Sequence, residues 1–292
     1  MHTETDSRIS LVHSLVDDLF DGRLTKGYQL ALQLSENGIS AAVWDDTFNK
    51  ILALERFSFQ KAYAVNVLIG LANTAISQSQ LMGYPYKKVS LGIVNSKSTL
   101  VPNGLFNANE KEALLKFNYV LEDGEIAAMD NLPNLDAKNI YALPNLIKQQ
   151  FQELYPAVNI LHFSSSLIEA VLVRYKHVET LSVVVHVRFS HLEILVVNSG
   201  KLLFYNSFAY QTAEDFIYFL LSVFEQLKLN PETIQVELMG ELDKNSSSYQ
   251  LAYKYIRYLK FADRPGTFDF SFKISALPKQ SYYSLFCQFL LA

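Results

Sequence analysis

The sequence predicts an α/β protein of two domains, each of which opens with three antiparallel strands followed by a helix and a further strand. Three observations indicate this class. A length of 292 residues is typical of about two domains. Half of the residues are hydrophobic and 13% are aromatic, which supplies real cores and excludes a disordered chain. The same order of strand and helix patterns occurs in both halves of the chain, as expected from a duplication.

The first half begins with a predicted helix and continues with a meander. Five apolar residues recur at helical spacing over residues 9–20, which predicts a short amphipathic helix (Ile9, Val12, Leu15, Val16 and Leu19). Three apolar segments then alternate with turns, and this pattern predicts two consecutive hairpins (30–34, 39–44 and 50–59). A helix follows, which has apolar residues on one face from Ala64 to Ala75 and ends near Gly83-Tyr84-Pro85, and a buried strand over 88–94 comes after it.

Residues 95–157 differ from the rest, because four prolines stand there among polar turn residues. We expect an irregular insertion on the first domain, with one good helix over 145–154 that starts directly after a proline. A strand over 158–163 and a helix over 166–175 follow. The polar junction at 176–180 then predicts a boundary between a first domain, residues 1–178, and a second domain, residues 179–292.

The second half repeats the first. Its meander is predicted over three segments (181–187, 192–198 and 201–210), and aligning it with the first places Val43 on Val196 and Leu52 on Leu203. Thr212 and Asp215 form the cap signal of a helix with a wide apolar face. A strand over 234–240, a helix over 246–259 and an apolar C-terminal helix over 281–292 complete the domain.

Charge and composition exclude several kinds of function. The chain carries 25 basic and 29 acidic residues, a net charge of −4, which argues against binding nucleic acid by neutralising phosphates. Cys287 is the single cysteine, so an intramolecular disulfide framework is excluded, and a buried inert thiol is expected there. The N-terminus lacks the pattern of a signal peptide, and the longest apolar runs are too short to span a membrane. We therefore expect a cytoplasmic protein with no membrane and no nucleic-acid partner.

Two segments carry a resemblance to a known superfamily. NGISAAVWDDTFNKILALERFSF (37–59) and FAYQTAEDFIYFLLSVFEQLKLNPETIQVELMGEL (208–242), set in the duplicated architecture, resemble the actin-like ATPase fold of actin, Hsp70 and sugar kinases. The whole chain is similar to an uncharacterised bacterial family with this fold and no assigned function. The resemblance implies two duplicated, ribonuclease H-like domains, each a mixed sheet that opens with an antiparallel meander. It also implies a C-terminal helix that crosses between the domains.

The resemblance also specifies where a nucleotide would bind. Working members place an Asp-x-Gly turn between the first two strands of each domain, where the carboxylate organises Mg²⁺ and the glycine lets backbone N–H groups approach the phosphates. The first turn here (32–38) has no Asp-x-Gly, and Glu36 is its only acid. In the second turn, His186 and Arg188 stand in the places of Asp and Gly. The adenosine loop, which normally carries Gly-Gly, has a single glycine at 240.

The candidate residues nearest to a nucleotide cleft are therefore few (Glu36, Gly38, Ser190 and Gly240). No catalytic residue is nominated, because no P-loop, GxGxxG, GxSxG or HExxH motif occurs. A metal site at His186 and His191 would have only Glu193 as a nearby third ligand, and we expect a solvated or hydrogen-bonded pair of histidines instead. Ser164–Ser166 could begin an anion-binding helix, but ordinary capping is favoured.

The basic, tyrosine-rich segment 249–260 is open to three interpretations. It could form a partner surface or a platform for stacking single-stranded nucleic acid. We favour tyrosines packed at the edge of the domain, with the lysines in water, because the net charge of the chain is acidic.

Three functions are compatible with the sequence. We favour a non-catalytic or weakly nucleotide-binding interaction protein that kept the scaffold of the fold, with no cofactor and no metal, and with another protein as its partner. The alternative is an active ATPase that binds ATP and Mg²⁺ through altered phosphate loops. A sugar-kinase-like enzyme is third, because no catalytic base can be nominated. Fold alone does not decide among them.

Overall fold

The computed structural model describes residues 7–291. Its strands in chain order are β1 (Ile9–Val16), β2 (Tyr28–Ser35), β3 (Gly38–Asp45), β4 (Lys50–Phe59), β5 (Lys88–Ile93), β6 (Ser98–Pro102), β7 (Glu125–Leu132), β8 (Ala137–Pro144), β9 (Asn159–His162), β10 (Ser182–Val187), β11 (His191–Asn198), β12 (Lys201–Ala209), β13 (Gln235–Gly240), β14 (Tyr258–Phe261) and β15 (Asp269–Phe270). Its helices are α1 (Val65–Gln78), α2 (Lys111–Lys116), α3 (Asn145–Leu154), α4 (Phe163–Arg174), α5 (Ala213–Gln226), α6 (Ser247–Tyr255), α7 (Phe272–Ser275) and α8 (Tyr283–Cys287). Within residues 7–291, no helix combines the length and the apolar character needed to cross a membrane.

The chain divides into two compact units. The first contains the residues up to Ser166, Gly266–Leu277 and the residues from Ser284 onwards, and the second contains Leu167–Pro265 and Pro278–Tyr283. This division differs from the predicted domains 1–178 and 179–292. The C-terminal segments were assigned to the second domain by chain order, but β15 pairs in parallel with β4 and so belongs to the first sheet.

The two main sheets have the same order in five strands, and the first sheet has β1 and β15 in addition, both paired with β4. In the first unit the path is β1-β4-β3-β2-β5-β9, and in the second unit it is β12-β11-β10-β13-β14. Each consists of an antiparallel meander (β2–β4 and β10–β12) whose first strand pairs in parallel with the strand after the helix (β5 and β13). A further parallel strand, β9 or β14, follows in each sheet. The predicted duplication of mixed sheets is therefore confirmed.

The predicted N-terminal helix over residues 9–20 is wrong, because β1 occupies most of this range. β1 pairs antiparallel with β4, from Ile9 opposite Phe59 to Val16 opposite Ala53. Its burial does not follow a helical stripe, since Leu11 and Val12 are both exposed. The hydrogen bonds offered by the open edge of β4 thus outweigh a helical spacing that a short apolar segment can show by chance.

The insertion at 95–157 is regular rather than irregular. Strands β6, β8 and β7 form a three-stranded antiparallel sheet, and α2 packs on it around a small apolar core that includes Leu115 and Ile140. Pro102 and Pro144 end strands β6 and β8, so these prolines mark the ends of elements and do not indicate a lack of structure. The predicted helix after Pro144 is confirmed as α3.

Alternating residues of the central strands face a helical core in each unit. Leu30, Leu32 and Leu34 of β2 pack with residues of α1 and α3, and Val183, Val185 and Val187 of β10 pack with residues of α5 and α6. The predicted cap of α5 is confirmed as a capping box between Thr212 and Asp215. Side chains alternate across a strand, so the residues between these leucines and valines point to the opposite face of each sheet. On that face several buried side chains are polar. Those polar side chains form the site described next.

Candidate functional site

The first candidate turn joins β2 and β3. Glu36 and Asn37 form its two-residue tip, and Glu36 is half-buried. The Ser35 hydroxyl lies 2.7 Å from Oδ1 of Asn37 and 3.0 Å from the carbonyl oxygen of Gly38. A Cβ atom at Gly38 would lie 2.2 Å from the carbonyl oxygen of Phe57 on β4. The close approach of a neighbouring strand therefore requires glycine at 38, whatever binds at the turn.

Gln33 on β2 is the counterpart of His186, which stands in the place of Asp in the second turn, because the alignment that places Val43 on Val196 also places Gln33 on His186. It is buried, and its amide bonds with the hydroxyl of Ser284 in α8, with Nε2–Oγ and Oγ–Oε1 distances of 3.3 Å. An amide is neutral, so it supplies no negative charge to a divalent cation. The C-terminal segment of the same unit thus contacts the functional group at this position.

A second C-terminal residue, Gln288, forms hydrogen bonds to both β2 and β5. Its Nε2 donates to the carbonyl oxygen of Leu32 at 3.1 Å and to Oγ of Ser90 at 2.8 Å. A Cβ at Gly92 would lie 2.5 Å from Oε1 of Gln288, so the glycine makes room for this side chain. Ser90, Ser284 and Gln288 are all buried. The polar face of β2 and β5 is therefore filled by the chain itself.

The second candidate turn joins β10 and β11. Phe189 and Ser190 form its tip, and the N–H of Arg188 donates to the carbonyl oxygen of His191 at 2.9 Å. The carbonyl oxygen of Ser190 accepts from the N–H of Tyr210 at 3.1 Å. The Ser190 hydroxyl lies 3.3 Å from Nδ1 of His191. Ser190 is thus held within a hydrogen-bonded turn.

A buried polar cluster lies beside this turn on the face of β10 and β11. Glu193 lies at the centre of the cluster. Its Oε2 lies 3.0 Å from Nδ1 of His186. Its Oε1 lies 3.3 Å from Nε2 of His191 and also accepts a hydrogen bond from the Ser207 hydroxyl at 3.2 Å. Burial, with a further contribution from the positive charge of Arg188, lowers the pKa of His186 to about 3. Burial also lowers the pKa of His191 and raises that of Glu193. Both imidazoles are therefore neutral near pH 7.

The cluster does not form the metal site considered for His186, His191 and Glu193. Each oxygen of the Glu193 carboxylate faces a different imidazole, so the three side chains do not share one vacant centre. Across the part of the chain that the structure describes, no group of three or more His, Cys, Asp or Glu side chains could hold a metal ion.

Gly240 ends β13 directly beside β10. Its φ is +89°, and a Cβ there would lie 2.2 Å from the carbonyl oxygen of Val187. The Gly240 N–H donates to the carbonyl oxygen of Gln280 at 3.0 Å, and the Glu241 N–H donates to Val187 at 2.8 Å. Nε2 of Gln280 donates to the carbonyl oxygen of Leu242 at 2.9 Å. The N–H groups of Gly240 and Glu241 are thus both bound by residues of the same unit.

The four candidates fall into two pairs. Glu36 and Gly38 share one turn of the first unit, whereas Ser190 and Gly240 belong to the second, where Gly240 is the register partner of Val187, the last residue of β10 before the turn of Ser190. Sequence reasoning missed Gln33, Gln280 and Gln288. The available signal was the isolated amide within an apolar stretch, as in LFCQFLLA, since a polar group that is buried needs a partner.

Ser164 and Ser165 belong to a separate buried network and do not form an open anion site. Both lie in the first turn of α4 and are fully buried. Ser165 donates to Oδ2 of Asp130 at 2.5 Å, the Ser164 hydroxyl lies 2.7 Å from Nδ1 of His162, and Nδ2 of Asn139 donates to both serines. Burial raises the pKa of Asp130 to about 6, although the Ser165 hydroxyl opposes the shift.

This raised pKa predicts a measurable pH dependence. The folded chain holds the Asp130 proton more tightly than the unfolded chain, so the free energy of unfolding falls as pH rises from about 4 to about 6. Asp130→Asn cannot titrate, and the stability of the variant relative to the wild type should increase by about 2–3 kcal/mol between pH 4 and pH 7. Urea unfolding at both pH values measures this difference. Parallel pH profiles of the two proteins would contradict the assignment.

Comparisons with known proteins agree with this architecture. The family model described as a protein of unknown function, DUF3822, matches residues 17–259. A search of curated proteins gives no match. A Bacteroides thetaiotaomicron protein with an actin-like ATPase fold and unknown function is similar over 84% of this chain and 94% of its own, with 24% identity and a TM-score of 0.74. The PilM–PilN complex of type IV pilus biogenesis matches over 90% of this chain and 96% of that one, with 11% identity and a TM-score of 0.56. The fold is that of the actin-like ATPases.

Proposed function

We propose that this chain, which belongs to the DUF3822 family of proteins of unknown function and has the actin-like ATPase fold, is a non-catalytic or weakly nucleotide-binding interaction protein. One observation carries the proposal. The groups that the fold would turn towards a nucleotide are bonded to residues 280–288 of the same chain, at Gln33 in the first unit and at Gly240 in the second.

Mg²⁺ and a triphosphate fit these residues poorly. A magnesium site needs carboxylate or other oxygen ligands that are free to coordinate, whereas Gln33 is neutral and bonds with Ser284. An adenosine loop must leave its backbone open to the nucleotide, whereas the N–H of Gly240 already donates to Gln280. In the second turn, the buried Arg188 side chain stands where glycine would let phosphate approach.

We propose a protein as the partner. PilM has a similar fold and forms a complex with PilN, so this scaffold supports binding between proteins in at least one other case. The acidic net charge of −4 favours a protein over a nucleic acid, and the single buried cysteine suits the reducing cytoplasm that we propose as the location.

An assay of phosphate release tests this proposal against an active ATPase. Full-length protein with Mg·ATP is expected to release no phosphate above the buffer control. Glu36→Ala removes the only acid of the first turn, and Glu153→Ala removes an exposed acid on α3 as a matched control. Steady release by the wild type that is lost in Glu36→Ala and kept in Glu153→Ala would contradict the proposal and establish the alternative.

A further inference from the structure

The end of the second sheet carries a basic, tyrosine-rich edge, defined here as residues 244–264. This segment contains α6 and β14, and it has five basic residues (Lys244, Lys254, Arg257, Lys260 and Arg264) against one acid, Asp263. The excess stands out in a chain whose net charge is −4. A local positive field of this kind attracts an acidic partner.

The tyrosines of this edge are not packed as the sequence led us to expect. Only Tyr249 is buried, whereas Tyr253, Tyr255 and Tyr258 are exposed by 62%, 51% and 52%. Tyr249 stacks between Tyr253 and Phe261, with ring centroids 6.0 and 5.1 Å away and planes within 18° of parallel. Exposed tyrosines beside arginine are typical of protein contact surfaces.

β14 is the last strand of its sheet, and β13 is its only neighbour in the described chain. The Ala262 N–H points back to β13, where it donates to Leu238 at 2.9 Å. Because backbone directions alternate along a strand, the N–H and C=O groups of Leu259 and Phe261 point away from β13, towards the open edge. These groups can pair with an added strand.

The charged side chains leave positive charge available at this edge. Lys254 has no ion-pair partner among residues 7–291. Arg257 meets Glu232 at 3.4 Å between two largely exposed side chains, a contact that contributes little. Glu237 is shared between Lys260 and Arg174, at 2.7 and 3.2 Å, so one carboxylate balances two cations.

We propose that this edge binds an extended acidic segment of a partner protein, which adds to β14 as a sixth strand. Alternate side chains of an added strand fall on opposite faces of the sheet. The face that carries Tyr258 and Lys260 suits carboxylates, and the face that carries Leu259 and Phe261 suits apolar side chains. The segment that fits therefore alternates acidic and apolar residues.

Two other occupants fit less well. A second copy of the chain would bring the same basic edge against this one, and the like charges would repel. Single-stranded nucleic acid requires a continuous stacking platform, but Tyr253 on α6 and Tyr258 on β14 lie on opposite faces of the sheet edge. The acidic peptide is the occupant that the charge and the open strand both favour. The inference rests on the proposed function only in that the partner is a protein.

Fluorescence anisotropy with defined probes tests this inference. The probes are a labelled peptide of alternating Glu and Val, the same composition with all Glu residues before all Val residues, and a labelled oligouridylate. We expect the full-length protein to bind the alternating peptide most tightly, with an affinity that falls as salt rises. The combined variant Lys254→Glu, Arg257→Glu and Lys260→Glu should bind it at least about tenfold more weakly, or about 1.4 kcal/mol.

A matched variant separates this edge from general charge. Lys26→Glu, Lys61→Glu and Lys201→Glu changes the net charge equally at exposed positions elsewhere and should leave binding unchanged. Amide exchange at Leu259 and Phe261 should slow in the complex, since their N–H groups would pair with the peptide. Equal binding by both triple variants, or no binding of the alternating peptide, would overturn the proposal, as would a preference for oligouridylate. None of these readouts depends on nucleotide hydrolysis.

Discussion

A chain that lacks residues 281–292 is expected to be insoluble, or to melt far below the full-length protein. Leu285, Phe286 and Phe289 of this segment are buried in the first unit. The ring centroids of Phe286 and Phe270 are 5.1 Å apart, and those of Phe289 and Trp44 are 5.5 Å apart. Burial of each side chain contributes about 1.5–3 kcal/mol as an upper estimate, against about 5–15 kcal/mol for a whole domain. Soluble yield and thermal melting measure the effect.

Two point variants serve where the truncated chain cannot be purified. Phe286→Ala should lower the free energy of unfolding by about 3–5 kcal/mol, because Phe286 is fully buried. Leu290→Ala is the matched control at a position that is 40% exposed, and its effect should be clearly smaller. If Phe286→Ala melts like the wild type, the segment does not hold the first unit together.

Gly240→Ala should destabilise the protein by about 2–3 kcal/mol even in the absence of any nucleotide. The left-handed φ of +89° strains any L side chain, and the new Cβ would meet the backbone oxygen of Val187 at 2.2 Å. Gly83→Ala is the control, because no heavy atom lies within 4 Å of its Cβ position, and it should change stability by less than about 1 kcal/mol. Urea unfolding compares the two.

The outcome separates a structural glycine from one that serves a ligand. If Gly240 serves only to let the adenosine of a nucleotide approach, alanine there would leave the stability of the free protein close to that of Gly83→Ala. Such a result would contradict the tight contact between β13 and β10 on which this account of the loop depends.

Local sequence signals predicted those elements whose partners are near in the chain. The hairpins β2–β3 and β10–β11 pair across two-residue tips, so their apolar runs and turn residues are sufficient to identify them. β1 was taken for a helix because its partner β4 lies some 40 residues later and contributes no local signal. The predicted helix over 246–259 likewise divides into α6 and β14, because Tyr258–Phe261 pairs with the distant β13.

The candidate site was predicted only in part for the same reason. The turns of Glu36, Gly38, Ser190 and Gly240 follow strands that the sequence shows clearly. The contact between Gln33 and Ser284 joins residues 251 positions apart, and nothing in either neighbourhood indicates the other. The resemblance showed that the nucleotide motifs depart from the family pattern, but only the folded chain shows which of its own residues bond to those positions.

Calorimetric titration of the full-length protein with Mg·ATP tests most directly whether the C-terminal residues have replaced a nucleotide. Because at most weak binding is proposed, we expect no heat that saturates at micromolar nucleotide, and a melting temperature that micromolar ATP leaves unchanged. A ligand present at 100 times its Kd stabilises a folded protein by about 2.7 kcal/mol, so tight binding would also be visible as a rise in melting temperature. A one-to-one isotherm that saturates at micromolar ATP, with a matching rise in melting temperature, would contradict the proposal.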